Sequence, residues 1–193
     1  MDLIELIAFL GNTGKQYERN RHNTAWLFAD SLSSVSSLSW SKKFKGESAT
    51  LNALGRKIQL LKPHTFMNLS GESIAEAASF YKIKPECILV VHDELELPAG
   101  TFALKWSGGL GGHNGLRSAK ACLGTADFWR LRFGIGRPPH DDVALWVLSD
   151  FSKDELPAMN AAFQGAAGLF DALLNEDPKK LLPEWKKRQG GVQ

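Results

Sequence analysis

Leu10-Gly11-Asn12-Thr13-Gly14-Lys15-Gln16-Tyr17-Glu18-Arg19-Asn20-Arg21-His22-Asn23 is the stretch whose reading decides the fold class. The apolar run from Leu3 to Leu10 feeds into it, and Trp26, Leu27, Phe28, Leu32 and Val35 recur at helical spacing after it. It therefore reads as a polar loop between a buried strand and a helix, with Asn23 suited to the helix N-cap. Open α/β sheets bind their ligands at the carboxyl ends of their strands. This loop brings one imidazole there, His22, able to exchange a proton near neutral pH.

Downstream, the same alternation repeats. Lys43 to Thr50 and Arg56 to Leu61 read as two strands joined by a turn over Asn52 to Gly55, and the serines near Ser36 as a loop. Ser70 is suited to cap a helix whose Ile74, Ala77, Ala78 and Tyr81 share a face. Cys87 to Val91 is a short apolar strand with His92 and Asp93 at its carboxyl end, the kind of position His22 occupies. Further strands are expected at Thr101 to Lys105 and Trp129 to Ile135, with a flexible glycine-rich loop, 107 to 115, and a helix over Leu116 to Leu123 between them. Ser152 and Glu155 make a capping box for a helix reaching about Leu174. The order predicts a single α/β domain over residues 1–193. It is a three-layer α/β/α arrangement with a mixed, largely parallel central sheet, antiparallel additions near residues 45–60 and 101–105, and a flexible basic tail from about 185.

At 193 residues, the chain suffices for one well-filled core. The first apolar stretch is broken by Asp2 and Glu5 and lacks a basic start, which argues against a secretory leader, and no run is long enough to span a membrane. Cys87 and Cys122 are expected as buried thiols in a reducing cytoplasm. Residues 101–140 hold six basic side chains against Asp127 alone, a local charge of +5 in a chain whose total is +2, so the remainder sums to −3. That concentration fits either an anionic partner or a solvated basic face.

A carboxylate that orients a histidine and stabilises its imidazolium makes it an effective base, so His22 with Asp93 forms the candidate pair. Each alone also fits a capping or turn residue. No nucleophile elbow competes, since Gly71-Glu72-Ser73-Ile74-Ala75 lies inside a helix start rather than after a strand. Activated water remains, and Asn12, Asn68 and Asn114 sit in loops where an amide can serve an oxyanion or substrate carbonyl; loop asparagines equally form turns. His22, His64, His92, His113 and Asp93 invite a metal reading, but no pair has metal-site spacing. The glycine stretches match neither a dinucleotide fingerprint nor a P-loop. Lys105 with Arg132 suits a phosphate clamp, or two surface cations. Tyr17 and Phe66 suit stacking on a base, and Phe66-Met67 also suits core packing.

Taken in order, Gly11-Asn12-x-Gly14-x-x-Tyr17, Arg21-His22-Asn23, Lys62-Pro63-x-Thr65-Phe66-Met67-Asn68-Leu69-Ser70-Gly71, His92-Asp93-Glu94-Leu95, the 108–115 glycine stretch and Arg130-Leu131-Arg132-x-Gly134-Ile135-Gly136-Arg137-Pro138 resemble bacterial peptidyl-tRNA hydrolase. The resemblance implies a cytoplasmic, monomeric, cofactor-free and metal-free esterase, without a membrane role, that splits peptide from tRNA. By position, His22 is implied as the base that activates water and Asp93 as its stabiliser, with Asn12 separating blocked from free aminoacyl groups. Tyr17, Phe66, Met67, Asn68, His113 and Asn114 are implied as holding the tRNA end and peptide, and Lys105 and Arg132 as lying near the 5′-phosphate end. Three positions depart from the family pattern: Thr13 stands for the usual proline, Asn20 for a threonine and Ala25 for a glycine. Thr13 leaves the first loop less rigid. The competing readings are a non-catalytic RNA-binding protein that uses the basic region alone, and a metal-dependent hydrolase.

Overall fold

A computed structural model describes residues 2–139 and 141–190. Its centre is a seven-stranded sheet in the order β2-β3-β4-β1-β5-β7-β6. The strands are β1 (Leu6–Phe9), β2 (Ser41–Lys43), β3 (Gly46–Ala53), β4 (Arg56–Pro63), β5 (Ile88–Glu94), β6 (Phe102–Trp106) and β7 (Trp129–Gly134). Strands β4, β1, β5 and β7 are mutually parallel, while β2 and β3 at one edge and β6 at the other run antiparallel to their neighbours. The expected mixed sheet is present, with one correction. Of the two strands near residues 45–60, only β3 is an antiparallel addition; β4 belongs to the parallel core beside β1.

Strand alternation builds the three layers. Ile7 and Phe9 of β1 with Leu89 and Val91 of β5 join one core with Phe28, Phe163 and Phe170, from α1 (Thr24–Ser31) and α6 (Leu156–Leu173). Leu6, Ala8, Ile88 and Val90 face the other way, onto Ile74 of α3 (Ser70–Tyr81) and Leu116 and Ala119 of α4 (Asn114–Leu123). Both faces of the central strands are thus covered, which is why β1 and β5 read as unbroken apolar runs. The β3–β4 hairpin turns on Leu54 and Gly55, both with positive φ, the geometry of a tight two-residue turn.

Several local expectations are revised by where side-chain oxygens find partners. The Ser70 hydroxyl donates back to the Met67 carbonyl instead of accepting from the following helix. The serines near Ser36 form a one-turn helix, α2 (Ser33–Ser36). The Ser152–Glu155 capping box forms, with the Ser152 amide donating to the Glu155 carboxylate at 2.7 Å and the Glu155 amide to the Ser152 hydroxyl at 3.3 Å. Asp142 caps α5 (Val143–Val147), a helix not anticipated. Cys87 is buried, but Cys122 is exposed. The expected tail from about 185 begins as helix, since α7 (Pro178–Gly190) carries Trp185 against Phe102 with ring centroids 5.9 Å apart; residues 191–193 lie outside the described residues. Among the described residues no helix is long and apolar enough to cross a membrane.

Helices α3 and α4 approach so closely that a Cβ on Gly71 would sit 2.1 Å from the Ser118 carbonyl oxygen, while the Gly71 amide donates to the Ser118 hydroxyl at 2.9 Å. A methyl group there overpacks a contact between backbones that cannot yield cheaply. Gly71→Ala is expected to destabilise the fold by about 1–3 kcal/mol, read as a lowered midpoint in urea denaturation. Glu72→Ala, which removes only an exposed partner of Lys45, should leave that midpoint nearly unchanged.

Candidate active site

The parallel strands end on one side of the sheet, and β1 lies between β4 and β5. The loops after β1 and β4 and the end of β5 therefore meet at the crevice where chain order reverses. From the first loop come Asn12, Tyr17 and His22, from the second Phe66, Met67 and Asn68, and from β5 Asp93. The start of α4 adds His113 and Asn114, and α5 closes the far side with Ala144 and Val147.

Together these residues enclose two cavities. One, of about 490 Å³, is lined by Asn12, Thr13, Tyr17, His22, Thr65, Phe66, Met67, Asn68, Asn114, Ala144, Val147 and Leu148. The other, of about 270 Å³, is lined by Asp93, Glu94, Leu95, Gly111, Gly112 and His113, with His22, Asn114, Val143, Ala144 and Val147. His22 borders both. Its Nδ1 faces the Asp93 carboxylate at 2.9 Å from each oxygen, so Nε2 is the nitrogen turned to other partners; among the described residues no hydrogen bond engages it.

Burial lowers the His22 pKa, but the charge and hydrogen bonding of Asp93 outweigh it and raise the pKa above the usual histidine value. Burial likewise raises the Asp93 pKa, and the two facing imidazoles, His22 and then His113, overcome it and hold the carboxyl well below its ordinary range. Asp93 is therefore a buried anion at neutral pH, and His22 an imidazole that accepts a proton readily. His113 Nε2 also lies 2.9 Å from Asp93 Oδ1. His92, fully buried beside it, is driven toward its neutral form first by desolvation.

His22, Asp93 and His113 place potential ligand atoms within 4.8 Å of one another, close enough to hold a metal ion. Those atoms already face one another, and His113 Nδ1 accepts from the amides of Gly115 and Leu116. A cation would have to break these hydrogen bonds to bind. His64, the remaining member of the histidine set, packs instead on Trp26 and faces Glu47.

Of the residues singled out from sequence, Asn12, Tyr17, His22, Phe66, Met67, Asn68, Asp93, His113 and Asn114 converge on the two cavities. Lys105 and Arg132 line neither. They share one face of the β6–β7 pair with Arg130, where Arg132 reaches Glu94 at 3.5 Å and Lys105 donates to the Gly109 carbonyl at 3.2 Å. Desolvation, then Arg132 and Arg130, lowers the Lys105 pKa.

Three supporting roles escaped the sequence reading. Asn23 does not cap α1 with its side chain; its amide accepts from the Asn12 N–H at 2.8 Å and donates to the Asn12 carbonyl at 2.9 Å. The loop carrying Thr13 is thereby fixed at its neighbour without help from a proline. Arg21 stacks on Trp146 at 3.7 Å and bonds Ser149, the Asp150 carbonyl and Glu155, which latches α5 over the cavities. Arg130 donates to the carbonyls of Gly108 and Gly109, anchoring the glycine loop. Only α5 had a readable signal, Asp142 ahead of an apolar run.

The sequence profile of the family described as Peptidyl-tRNA hydrolase matches residues 6–191. A peptidyl-tRNA hydrolase of Desulfitobacterium hafniense (strain Y51) is 52% identical over 157 residues, covering 81% of this chain and 85% of that protein. One of Treponema pallidum (strain Nichols) is 46% identical over 194 residues, covering 96% of each. The crystal structure of peptidyl-tRNA hydrolase from Acinetobacter baumannii superposes with a TM-score of 0.88 at 36% identity, over 95% of this chain and 94% of that one.

Because Asn23 is fully buried and both its amide groups are spent on Asn12, Asn23→Ala leaves backbone polar groups unpaired. It is expected to cost about 1–3 kcal/mol of stability in urea denaturation.

Proposed function

The chain belongs to the peptidyl-tRNA hydrolase family and hydrolyses peptidyl-tRNA; from that premise we propose that His22 is the general base of the reaction and Asp93 its electrostatic partner. His22 Nε2 takes a proton from a water molecule as its oxygen attacks the carbonyl carbon of the ester joining peptide to ribose. The carbonyl π electrons move onto oxygen, and Asn12, Asn68 and Asn114 are the neutral donors grouped around the same cavity to serve that oxyanion and the peptide carbonyls. Collapse re-forms the carbonyl and breaks the bond to the ribose oxygen, which takes the proton back from the His22 imidazolium. The products are a peptide carboxylic acid and a tRNA with a free hydroxyl.

What carries this reading is the 2.9 Å contact between His22 Nδ1 and the buried Asp93 carboxylate. It fixes the tautomer that leaves Nε2 unprotonated and stabilises the imidazolium formed during attack. Asn12, held through its backbone, is the group that distinguishes blocked from free aminoacyl ends. Tyr17, Phe66 and Met67 pack the substrate within the larger cavity. Lys105 and Arg132, on the basic β6–β7 face, take a phosphate of the tRNA. The protein acts as a cytoplasmic monomer without cofactor or metal, and does not engage a membrane; free cysteines at 87 and 122 suit that compartment.

His22→Ala is expected to lower turnover of N-blocked aminoacyl-tRNA by about 10²–10⁴-fold in the presence of excess chelator, with tRNA binding retained in a filter assay. Unchanged turnover in the variant would falsify the assignment; activity lost to chelator and restored by zinc would favour a metal-dependent hydrolase. The pH profile gives a second test. Since only unprotonated His22 serves as base, kcat/KM should fall as pH drops through a pKa above the ordinary histidine value. Asp93→Asn removes the opposing charge, leaves burial dominant, and should move that limb to lower pH while cutting the plateau. For Lys105→Ala, the loss should be larger with intact tRNA substrates than with short acyl-nucleotide mimics that lack the distant phosphate; equal losses on both would count against the clamp.

A further inference from the structure

We propose that His113 is a positioning residue of the hydrolytic site, its Nδ1 held as an acceptor by the first turn of α4 so that its Nε2–H gives Asp93 a second fixed donor beside His22. The inference rests on the reading of His22 as base but assigns His113 a duty distinct from gripping substrate.

Three contacts fix the tautomer. The Nδ1 of His113 accepts from the Gly115 amide at 3.1 Å and from the Leu116 amide at 3.4 Å. Backbone N–H groups only donate, so Nδ1 must present its lone pair. A ring with that nitrogen unprotonated carries its hydrogen on Nε2, and Nε2 lies 2.9 Å from Asp93 Oδ1. Protonating Nδ1 would set it against two amides at a helix start, where the exposed N–H groups already disfavour a cation. The helix thus chooses the tautomer, and the tautomer chooses the direction of the bond to Asp93.

The groups around this pair are few. His22 faces Asp93 from the turn before α1, with its ring centroid 5.0 Å from that of His113. Beside Asp93, β5 contributes buried His92, whose ring centroid is also 5.0 Å from His113, and Glu94, which is met by Arg132 of β7. Arg130 of β7 is turned to the Gly108 and Gly109 carbonyls, and α5 presents only Val143, Ala144 and Val147 to the cavity. Among the described residues, His113 is therefore the one donor, besides His22, that these contacts place on the Asp93 carboxylate. By sharing Oδ1 it draws electron density from the carboxylate and limits how strongly His22 is pulled toward its protonated form. It also ties Asn114, the next residue and a wall of both cavities, to the same carboxylate.

Two substitutions separate the halves of the ring. His113→Asn keeps an acceptor at the helix cap but is too short to reach Asp93; His113→Gln places an amide where Nε2 stood and gives up the cap. In His113→Asn, the acidic limb of kcat/KM for N-blocked aminoacyl-tRNA should move up by about one pH unit, because the unshared carboxylate stabilises the His22 imidazolium further. His113→Gln should keep the wild-type limb and instead show a lowered Tm. An unmoved limb in His113→Asn, or the same shift in both variants, would overturn the proposal. ¹⁵N NMR of the wild-type protein is independent of turnover: the neutral His113 ring should carry its hydrogen on Nε2, not Nδ1. A signal for the Nδ1–H tautomer would overturn the lock whether or not His22 is the base.

Discussion

A carboxylate buried at the end of a parallel strand is an unstable thing unless donors surround it, and Asp93 is where this molecule meets that condition. Removing an anion from water costs several kcal/mol, which only well-placed partners offset. Here the partners are two imidazoles from separate segments, each 2.9 Å away. Satisfying Asp93 forces the loop after β1 and the start of α4 to converge over the end of β5, so the same contacts that make the anion tolerable also assemble the cavity walls.

The scaffold behind this convergence is held by polar groups spent on backbone. Asn23 commits its whole amide to Asn12, Arg130 commits its guanidinium to two glycine carbonyls, and Arg21 reaches from the residue beside His22 to the segment following α5. Each is buried. Their effect is to limit how far the three loops can drift relative to one another, which matters where a base must meet a water within a fraction of an ångström.

The sheet and its layers were legible because β1 and β5 are apolar on both faces, and a polar loop after each marks the edge where ligands bind. The pairing of His22 with Asp93 was legible for the same reason: both stand at carboxyl ends of parallel strands. Other features left no trace in the chain order. Asn23 reads as a helix cap, and only the folded loop shows that its amide has a better partner in Asn12. Arg130 reads as one more cation in a basic stretch until the Gly108 and Gly109 carbonyls are seen against it. That β4 lies in the parallel core, whereas β3 does not, depends on long-range pairing with β1, which local patterning does not encode. The contacts that orient the His113 ring depend on a helix that begins at Asn114, two residues earlier than the apolar spacing from Leu116 suggested.

The walls of the larger cavity supply amides, hydroxyls, a thioether and hydrocarbon, with His22 and the phenol of Tyr17 as the ionisable groups among them. Phe66 stands 79% exposed on one flank, and Leu148 is exposed on the helix side. A lining of this kind has no fixed countercharge with which to favour a lysine over a glutamate in whatever chain lies against it. What the lining offers instead is amide hydrogen bonding and apolar contact, which the backbone and the hydrocarbon bulk of any polypeptide can meet.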